Sequence, residues 1–95
     1  GMNMYASELY EKVSKETGVK KETVKGVIEA MASVAMEAAK SGESVRIATM
    51  GTVKMRDIPA RMANNPRNPG EKIAVPAHKK LVFQESMTTA AFMNR

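Results

Sequence analysis

The sequence predicts an α+β fold with two helices first, antiparallel strands after them and a short helix at the end. Over the first 40 residues, apolar side chains recur at intervals of three and four, the period of an amphipathic helix. After Gly42 they alternate with polar side chains, the period of a half-buried strand. All four prolines fall between positions 59 and 76, which favours an extended, interrupted chain there.

The two predicted helices form a hairpin. Gly18 ends the first, which covers residues 6–17 and has its apolar side chains at Ala6, Leu9, Tyr10 and Val13. Gly42 follows the second, which covers residues 21–40. The apolar stripe of this second helix consists of Val24, Val27, Ile28, Met31, Val34, Ala35 and Ala38. Because about three residues join the helices, we expect the two apolar stripes to face each other.

Strands are predicted next. Polar and apolar residues alternate over Ser44–Ile47, and Met50–Val53 turns the chain into a second strand. In that strand Lys54 and Arg56 alternate with apolar neighbours, which predicts a half-buried strand with one basic face.

A long β-ribbon follows, with its turn at Asn64–Gly70, the strongest turn signal of the chain. The return strand begins near Glu71 and resumes at Lys80–Phe83, so Pro59 and Pro76 are expected at strand edges or bulges. A two-stranded ribbon is not stable by itself, so we expect this one either to be disordered alone or to be ordered by a partner. The tail over residues 86–93 is compatible with a short helix.

Length and composition narrow the class of protein. Ninety-five residues make one domain, 1–95, in which we expect a helical body (5–42), a sheet and arm (44–83, tip 64–70) and a final helix (86–93). So short a chain has a marginal core, which favours oligomerisation. Without cysteine, disulfides and thiolate metal sites are excluded. We expect neither export nor membrane insertion, and Gly1 before Met2 is typical of a cleaved expression tag.

The net charge of +5 is concentrated in residues 54–80. Two acids, Asp57 and Glu71, lie there among seven basic side chains, namely Lys54, Arg56, Arg61, Arg67, Lys72, Lys79 and Lys80. Residues 1–47, by contrast, carry seven basic and seven acidic side chains. This concentration indicates a binding surface for a polyanion, although charge alone leaves an ordinary solvated basic loop as an alternative.

Catalytic groups are scarce. His78 is the single histidine, so it has no second imidazole to complete a metal pair. Ser44 and Thr52, the candidate nucleophiles, have no base partner nearby in sequence. We therefore expect no enzyme, no cofactor, no metal site and no small-molecule substrate. A place for His78 beside phosphate-binding lysines fits its neighbours better.

Several short motifs occur in the order of a known family. They are Ser7-Glu8-Leu9, Thr17-Gly18-Val19, Gly42-Glu43-Ser44-Val45-Arg46-Ile47, Gly51-Thr52-Val53, Asn65-Pro66, Ile73-Ala74-Val75-Pro76-Ala77-His78-Lys79 and Val82-Phe83. In these motifs and in their order the chain resembles the HU/IHF family of histone-like DNA-bending proteins over nearly its whole length. The resemblance implies an intertwined dimer with a three-stranded antiparallel sheet in each chain. Two protruding β-arms would enter the DNA minor groove, and a proline at each arm tip would wedge between base pairs.

The resemblance also implies roles for individual residues. Those expected to bind DNA are Lys54, Arg56, Arg61, Asn64, Asn65, Pro66, Arg67, Asn68, Pro69, Lys72, His78 and Lys79. Those expected in the dimer core are Leu9, Ile28, Met31, Met50, Val53 and Phe83. Counting from Gly51 selects Pro66 as the wedge, whereas counting back from Ile73 leaves Pro69 open. The final helix lacks the lysines that the family usually carries there.

The predicted function is therefore that of a non-enzymatic architectural protein that binds duplex DNA and bends it, largely without sequence-specific base contacts. Its partners would be double-stranded DNA and a second copy of the chain, or a related subunit, with no membrane involved. Its place would be the nucleoid in the cytoplasm, or the host cytoplasm if a phage encodes it. The alternative is a structural or assembly protein with the same dimer fold whose arms bind a protein partner.

Overall fold

The computed structural model describes residues 2–95, and Gly1 lies outside the described residues. The described chain contains three helices and five strands in the predicted order. They are α1 (Ala6–Thr17), α2 (Lys21–Lys40), β1 (Val45–Ile47), β2 (Gly51–Ile58), β3 (Arg61–Asn64), β4 (Lys72–Val75), β5 (His78–Glu85) and α3 (Met87–Met93). None of these helices is long and apolar enough to cross a bilayer.

The ends of α1 follow from local chemistry. Gly18 adopts the left-handed conformation (φ +77°), and its N–H donates to the carbonyl oxygen of Ser14 at 2.8 Å. This is the glycine-terminated helix end that the sequence predicts. The Nζ of Lys21, at the start of α2, donates to the Ser7 hydroxyl at 2.9 Å, which ties the beginnings of the two helices together.

The apolar stripe of α2 is only partly covered. Val24 and Ala35 retain 5% and 7% of their exposure, whereas Val27 and Val34 retain 64% and 67%. A helix that exposes β-branched apolar side chains to this extent leaves part of its hydrophobic face for another surface to bury.

Residues 36–95 form the second of two compact units and contain both sheets. The predicted three-stranded antiparallel sheet is confirmed, with strand order β1–β2–β5. Strand β2 pairs with β5 from Gly51 opposite Glu85 to Ile58 opposite His78. Strand β5 thus runs two residues beyond Phe83, where the predicted sheet ended, and its last residue, Glu85, directly precedes Ser86, the N-cap of α3.

The ribbon continues beyond this sheet as a second ladder. Arg61 lies opposite Val75, and two residues on each strand separate this pair from the pair of Ile58 and His78. The count is equal on both strands, so no bulge residue is inserted. Pro59 and Pro76 both fall in this gap, and a proline has no N–H for the ladder. Two prolines at the same level therefore divide the ribbon into an inner and an outer part.

Gly51 is required by a close approach of two strands. A Cβ atom at this position would collide with the carbonyl oxygen of Gln84 and with the ring of Phe83. The Phe83 ring covers the glycine, a packing device that compensates for a missing side chain in a strand.

The side chains predicted for the dimer core remain open in the single chain. Leu9, Met31, Met50 and Phe83 are 44%, 47%, 52% and 48% exposed, and Ile28 and Val53 are half-buried. Among residues 2–95, the buried hydrophobic side chains are Val24, Ala35 and Ala39. A core of one valine and two alanines is too small to stabilise a folded chain of this length.

Helix α3 is attached to the β1–β2 turn by its own cap. The Ser86 hydroxyl accepts the Thr89 N–H at 3.1 Å, as an N-cap serine does. The Thr89 hydroxyl donates to the Met50 carbonyl oxygen at 2.6 Å, and the Ser86 N–H donates to the same oxygen at 3.0 Å. The helix therefore has a fixed position on the sheet unit despite its seven residues.

Candidate nucleic-acid interface

One face of the three-stranded sheet is basic. Side chains alternate between the two faces of a strand, and residues paired across strands share a face. Lys54, Arg56 and Ile58 alternate along β2 and therefore project on one side of the sheet. Lys80 and His78 of β5, which pair with Arg56 and Ile58, project on the same side. Arg46 of β1 pairs with Thr52 of β2, so it lies on that side too. We call Arg46, Lys54, Arg56, His78 and Lys80 the basic face.

Within the basic face, Arg56 and Lys80 stand directly opposite each other. Like charges at directly opposed positions of an antiparallel pair are destabilising. Among the described residues, Lys15 and Glu11 of α1 form the one ion pair. No carboxylate in this part of the chain therefore lies within ion-pairing distance of Arg56 or Lys80. The sheet therefore keeps an uncompensated repulsion on an exposed surface, and a bound anion would relieve it.

The opposite face of the sheet is apolar. There Val53 is paired with Phe83, and Met55 with Leu81. Met36 and Ala39 from the end of α2 line a cavity of about 290 Å³ together with Met55 and Leu81. The end of α2 therefore lies on the apolar side of the sheet, opposite the basic face.

Lys79 does not belong to the basic face. It lies opposite Asp57, on the same side as Met55 and Leu81. The structure thus brings together Lys54, Arg56 and His78 of the residues predicted to bind DNA, and it places Lys79 on the other side.

Two basic residues that are not among those predicted to bind DNA belong to the face. Lys80 is exposed and faces Arg56, and Arg46 is exposed on β1. The alternation of Val45, Arg46 and Ile47 would have assigned Arg46 to the polar side of its strand. Lys80 follows another lysine, so its side could be known only from the β2–β5 register.

Around Arg46 lies a polar cavity of about 440 Å³, whose lining includes Arg46, Thr52, Lys54, Gln84, Glu85 and, from α3, Met87 and Thr88. Thr52 pairs with Arg46 on one side and with Gln84 on the other. The Nζ of Lys54 donates to Oε1 of Gln84 at 2.8 Å, which orients the ammonium group along the sheet surface. The donors collected here suit the oxygens of a phosphate group.

His78 lies at the outer end of the basic face. Its Nδ1 is 3.0 Å from the Pro76 carbonyl oxygen, which only accepts, so Nδ1 carries the proton and donates. This bond fixes the ring beside the gap in the ladder.

The outer ribbon combines basic and apolar side chains. Arg61 shares one side of β3 with Ala63, while Asn64 pairs with Lys72 on the other side. Met62 and Ile73 are 61% and 42% exposed on the same strands. Exposed apolar side chains between cations fit a surface that meets both sugars and phosphates.

The tip of the ribbon consists of two consecutive β-turns, each with proline in its second position. In the first, Asn65–Asn68, the Asn68 N–H donates to the Asn65 carbonyl oxygen at 3.1 Å. In the second, Asn68–Glu71, the Glu71 N–H donates to the Asn68 carbonyl oxygen at 3.0 Å. Gly70 has a φ of +93°, as the third residue of a type II turn requires.

Further bonds make the tip rigid. The Asn65 N–H donates to the Glu71 carbonyl oxygen at 3.0 Å and closes the two turns into one loop. Oδ1 of Asn65 accepts the Arg67 N–H at 3.0 Å, and the Asn68 amide donates to the Glu71 carboxylate. Pro66 and Pro69 are exposed within this framework.

Among residues 2–95, no cluster of three or more His, Cys, Asp and Glu side chains could hold a metal ion.

Comparison with known proteins agrees with this geometry. A family model described as bacterial DNA-binding protein matches residues 4–94. Integration host factor subunit alpha of Ralstonia nicotianae is 32% identical over 87 residues, which cover 92% of this chain and 83% of that protein. The SPbeta prophage-derived DNA-binding protein HU 2 of Bacillus subtilis is 38% identical over 81 residues, covering 85% of this chain and 87% of the relative.

Solved structures show the same fold. The HU–DNA cocrystal structure from Anabaena superposes with a TM-score of 0.84 at 27% identity, covering 95% of this chain and 97% of that one. A mutant HU from Thermotoga maritima, 22% identical, has the same fold with a TM-score of 0.66 over 97% of this chain and 100% of that one. With its helices, sheet and ribbon in the same order, the chain belongs to the family of bacterial DNA-binding proteins that includes HU and integration host factor.

Proposed function

We propose that this protein binds duplex DNA with the basic face and the ribbon tips of a dimer and bends the duplex around itself. It is an architectural DNA-binding protein of the HU/IHF type, as its family and its DNA-bound structural neighbour support. Its affinity comes mainly from phosphates and released counterions, and its selectivity from the deformability of the duplex.

The observation that carries the proposal is the pair of Arg56 and Lys80. The two cations face each other on the basic face of the sheet, and no carboxylate pairs with them among the described residues. A phosphate between them would replace the repulsion by two charge-assisted hydrogen bonds. A polyanion is therefore the ligand class that this surface fits.

The dimer is supported by the side chains left exposed in the single chain. Leu9, Met31, Met50 and Phe83 are each about half exposed, although large apolar side chains are normally buried. A second copy of the chain, or a related subunit, would bury them. Each dimer would then carry two basic faces and two ribbon tips.

Residue roles follow from this arrangement. Lys54, Arg56, Lys80 and Arg46 bind phosphates along the sheet, with His78 at the edge of the surface. Arg61, Arg67 and Lys72 follow the backbone along the ribbon, and Asn64, Asn65 and Asn68 shape its tip. Pro66 is the wedge that the family resemblance implies. Lys79, opposite Asp57, has no part in the phosphate contacts of the sheet.

The protein is not an enzyme in this proposal, and it needs no cofactor. It is a nucleoid-associated protein of the cytoplasm, or of the host cytoplasm if a phage encodes it. The alternative, an assembly protein whose arms grasp a protein partner, is favoured by no observation on the chain or its relatives.

The proposal is tested by the electrophoretic mobility of a short duplex at two salt concentrations. Four cations of each sheet, Arg46, Lys54, Arg56 and Lys80, give eight phosphate contacts in a dimer. The slope of log affinity against log salt should then be about −7 or steeper. Absence of a complex at low salt, or an affinity that does not depend on salt, would contradict the proposal.

A further inference from the structure

We infer that Pro69 is a second wedge, so that each ribbon tip unstacks two base-pair steps instead of one. This inference rests on the proposed function, because it presupposes that the tips enter DNA.

The register places Pro69 closer to the end of the ribbon than Pro66. The last strand pair joins Asn64 and Lys72, and the bond from Asn65 to Glu71 continues the same register. Five residues remain beyond it, 66–70, and Asn68 is their midpoint. Pro69 is next to this midpoint, whereas Pro66 is the first residue after the closing bond.

The two prolines occupy the same position in their turns. Each is the second residue of a hydrogen-bonded β-turn that begins with an asparagine, Asn65 for the first turn and Asn68 for the second. A proline in this position has its φ fixed by its ring and lacks an N–H, so insertion into a base stack breaks no backbone bond. Both rings are exposed. Both rings therefore have the position in a turn and the exposure that a wedge needs, and Pro69 lies nearer to the end of the ribbon.

The spacing of the two rings suits neighbouring base steps. The two prolines are three positions apart in the sequence, so their Cα atoms are at most about 10–11 Å apart, even for an extended chain. Successive bases along one strand of B-DNA are about 3.4 Å apart. The two rings therefore reach steps that lie at most about three apart, within one continuous kink.

The tip is also rigid enough to present both rings together. The two turns share Asn68, whose N–H and carbonyl oxygen take part in one turn each. The Asn68 amide donates to the Glu71 carboxylate, which braces the second turn against the closing bond. A wedge held in this way loses little conformational entropy when it inserts.

The inference is tested with 2-aminopurine, whose fluorescence is quenched by stacking and rises when its step is opened. A duplex with a nick at one position lowers the local cost of bending and fixes where a tip binds. The reporter is then moved step by step through the surrounding bases. With the unmodified protein, we expect two bright steps for the tip at the nick, at most about three apart.

Variants assign each bright step to a ring. Pro69→Ala should return one step to the brightness of free duplex and leave the other unchanged, and Pro66→Ala should do the reverse. Pro69→Leu, which keeps an apolar side chain without the ring, should retain the second bright step. Pro59→Ala is the matched control, because it makes the same change in the gap between β2 and β3, away from the tip.

Amide exchange at Asn65 and Glu71 verifies that the loop stays closed in each variant. A single bright step that Pro69→Ala leaves unchanged, in a complex with normal salt dependence, would overturn the second wedge alone. A protein that binds the duplex and brightens no step would contradict both wedges.

Discussion

Replacing Arg56 by glutamine removes one cation of the basic face and leaves a shorter, neutral polar side chain. Each phosphate contact contributes about 0.9 to the slope of log affinity against log salt, and a dimer has two copies of Arg56. The slope should therefore become shallower by about 1.8. Between 50 and 200 mM salt, a fourfold change, the loss of affinity should then be about 12-fold smaller than for the unmodified protein. Fluorescence anisotropy of a labelled duplex at several salt concentrations measures this slope.

The same substitution should stabilise the free protein, although it weakens DNA binding. Arg56 opposes Lys80 across the β2–β5 pair, so its removal relieves a repulsion of about 0.2–1 kcal/mol per chain. We expect Arg56→Gln to raise the melting temperature of the free protein while it weakens DNA binding. Lys79→Gln is the matched control, because Lys79 is next to Lys80 in β5 but lies on the other face of the sheet, opposite Asp57. Equal slope changes in the two variants would refute the division of the sheet into two faces.

Three further outcomes follow from the packing. Phe83→Ala should weaken dimerisation by about 3–5 kcal/mol per dimer, since Phe83 is 48% exposed in one chain and occurs twice in the dimer. Sedimentation should then show a dissociation constant raised at least about a hundredfold, whereas a cooperatively folded monomer of the unmodified protein would contradict the dimer. Gly51→Ala should destabilise each chain by about 1–3 kcal/mol in denaturant unfolding, because the added methyl group would collide with the Gln84 carbonyl oxygen. Gly26→Ala is the control and should stabilise α2, because a Cβ atom there has no neighbour within 4 Å; equal effects of the two substitutions would exclude the steric explanation. Ala48→Gly should raise the free energy of unfolding by up to about 1 kcal/mol, and the melting temperature with it, because Ala48 has a φ of +48° in the β1–β2 turn. A lowered melting temperature would show that the turn is not strained.

The sequence was sufficient to predict the elements of the fold. Hydrophobic periodicity predicted α1 and α2 with the bounds that the structure has, and Gly18 ends α1 as expected. These features depend on local physics, in which the period of the side chains and the conformational freedom of glycine determine the outcome.

The faces of the sheet could be predicted only in part. Lys54 and Arg56 alternate with apolar neighbours, so their common side follows from the sequence. Lys79 and Lys80 are adjacent, and a shift of one residue in the β2–β5 register would exchange their sides. That register is set by long-range contacts, among them the Phe83 ring over Gly51.

The tip was recognised as a turn, but its internal arrangement was not predicted. Two Asn-Pro pairs in one loop allow several registers, and the hydrogen bonds from Asn68 and Glu71 select one of them. The burial of the apolar stripes could not be predicted either, because side chains such as Val27 and Met31 lie on the predicted stripe of α2 and are exposed in the single chain.

The central claim, that the protein bends DNA through its ribbon tips, is tested most directly by energy transfer between dyes at the two ends of a short duplex. The unmodified protein should raise the transfer efficiency as it binds, because the ends of the duplex approach each other. A variant with both Pro66→Ala and Pro69→Ala should still bind in a salt-dependent way, since its cations are unchanged, and should raise the efficiency much less. A saturated complex of the unmodified protein with the transfer efficiency of free duplex would contradict the account.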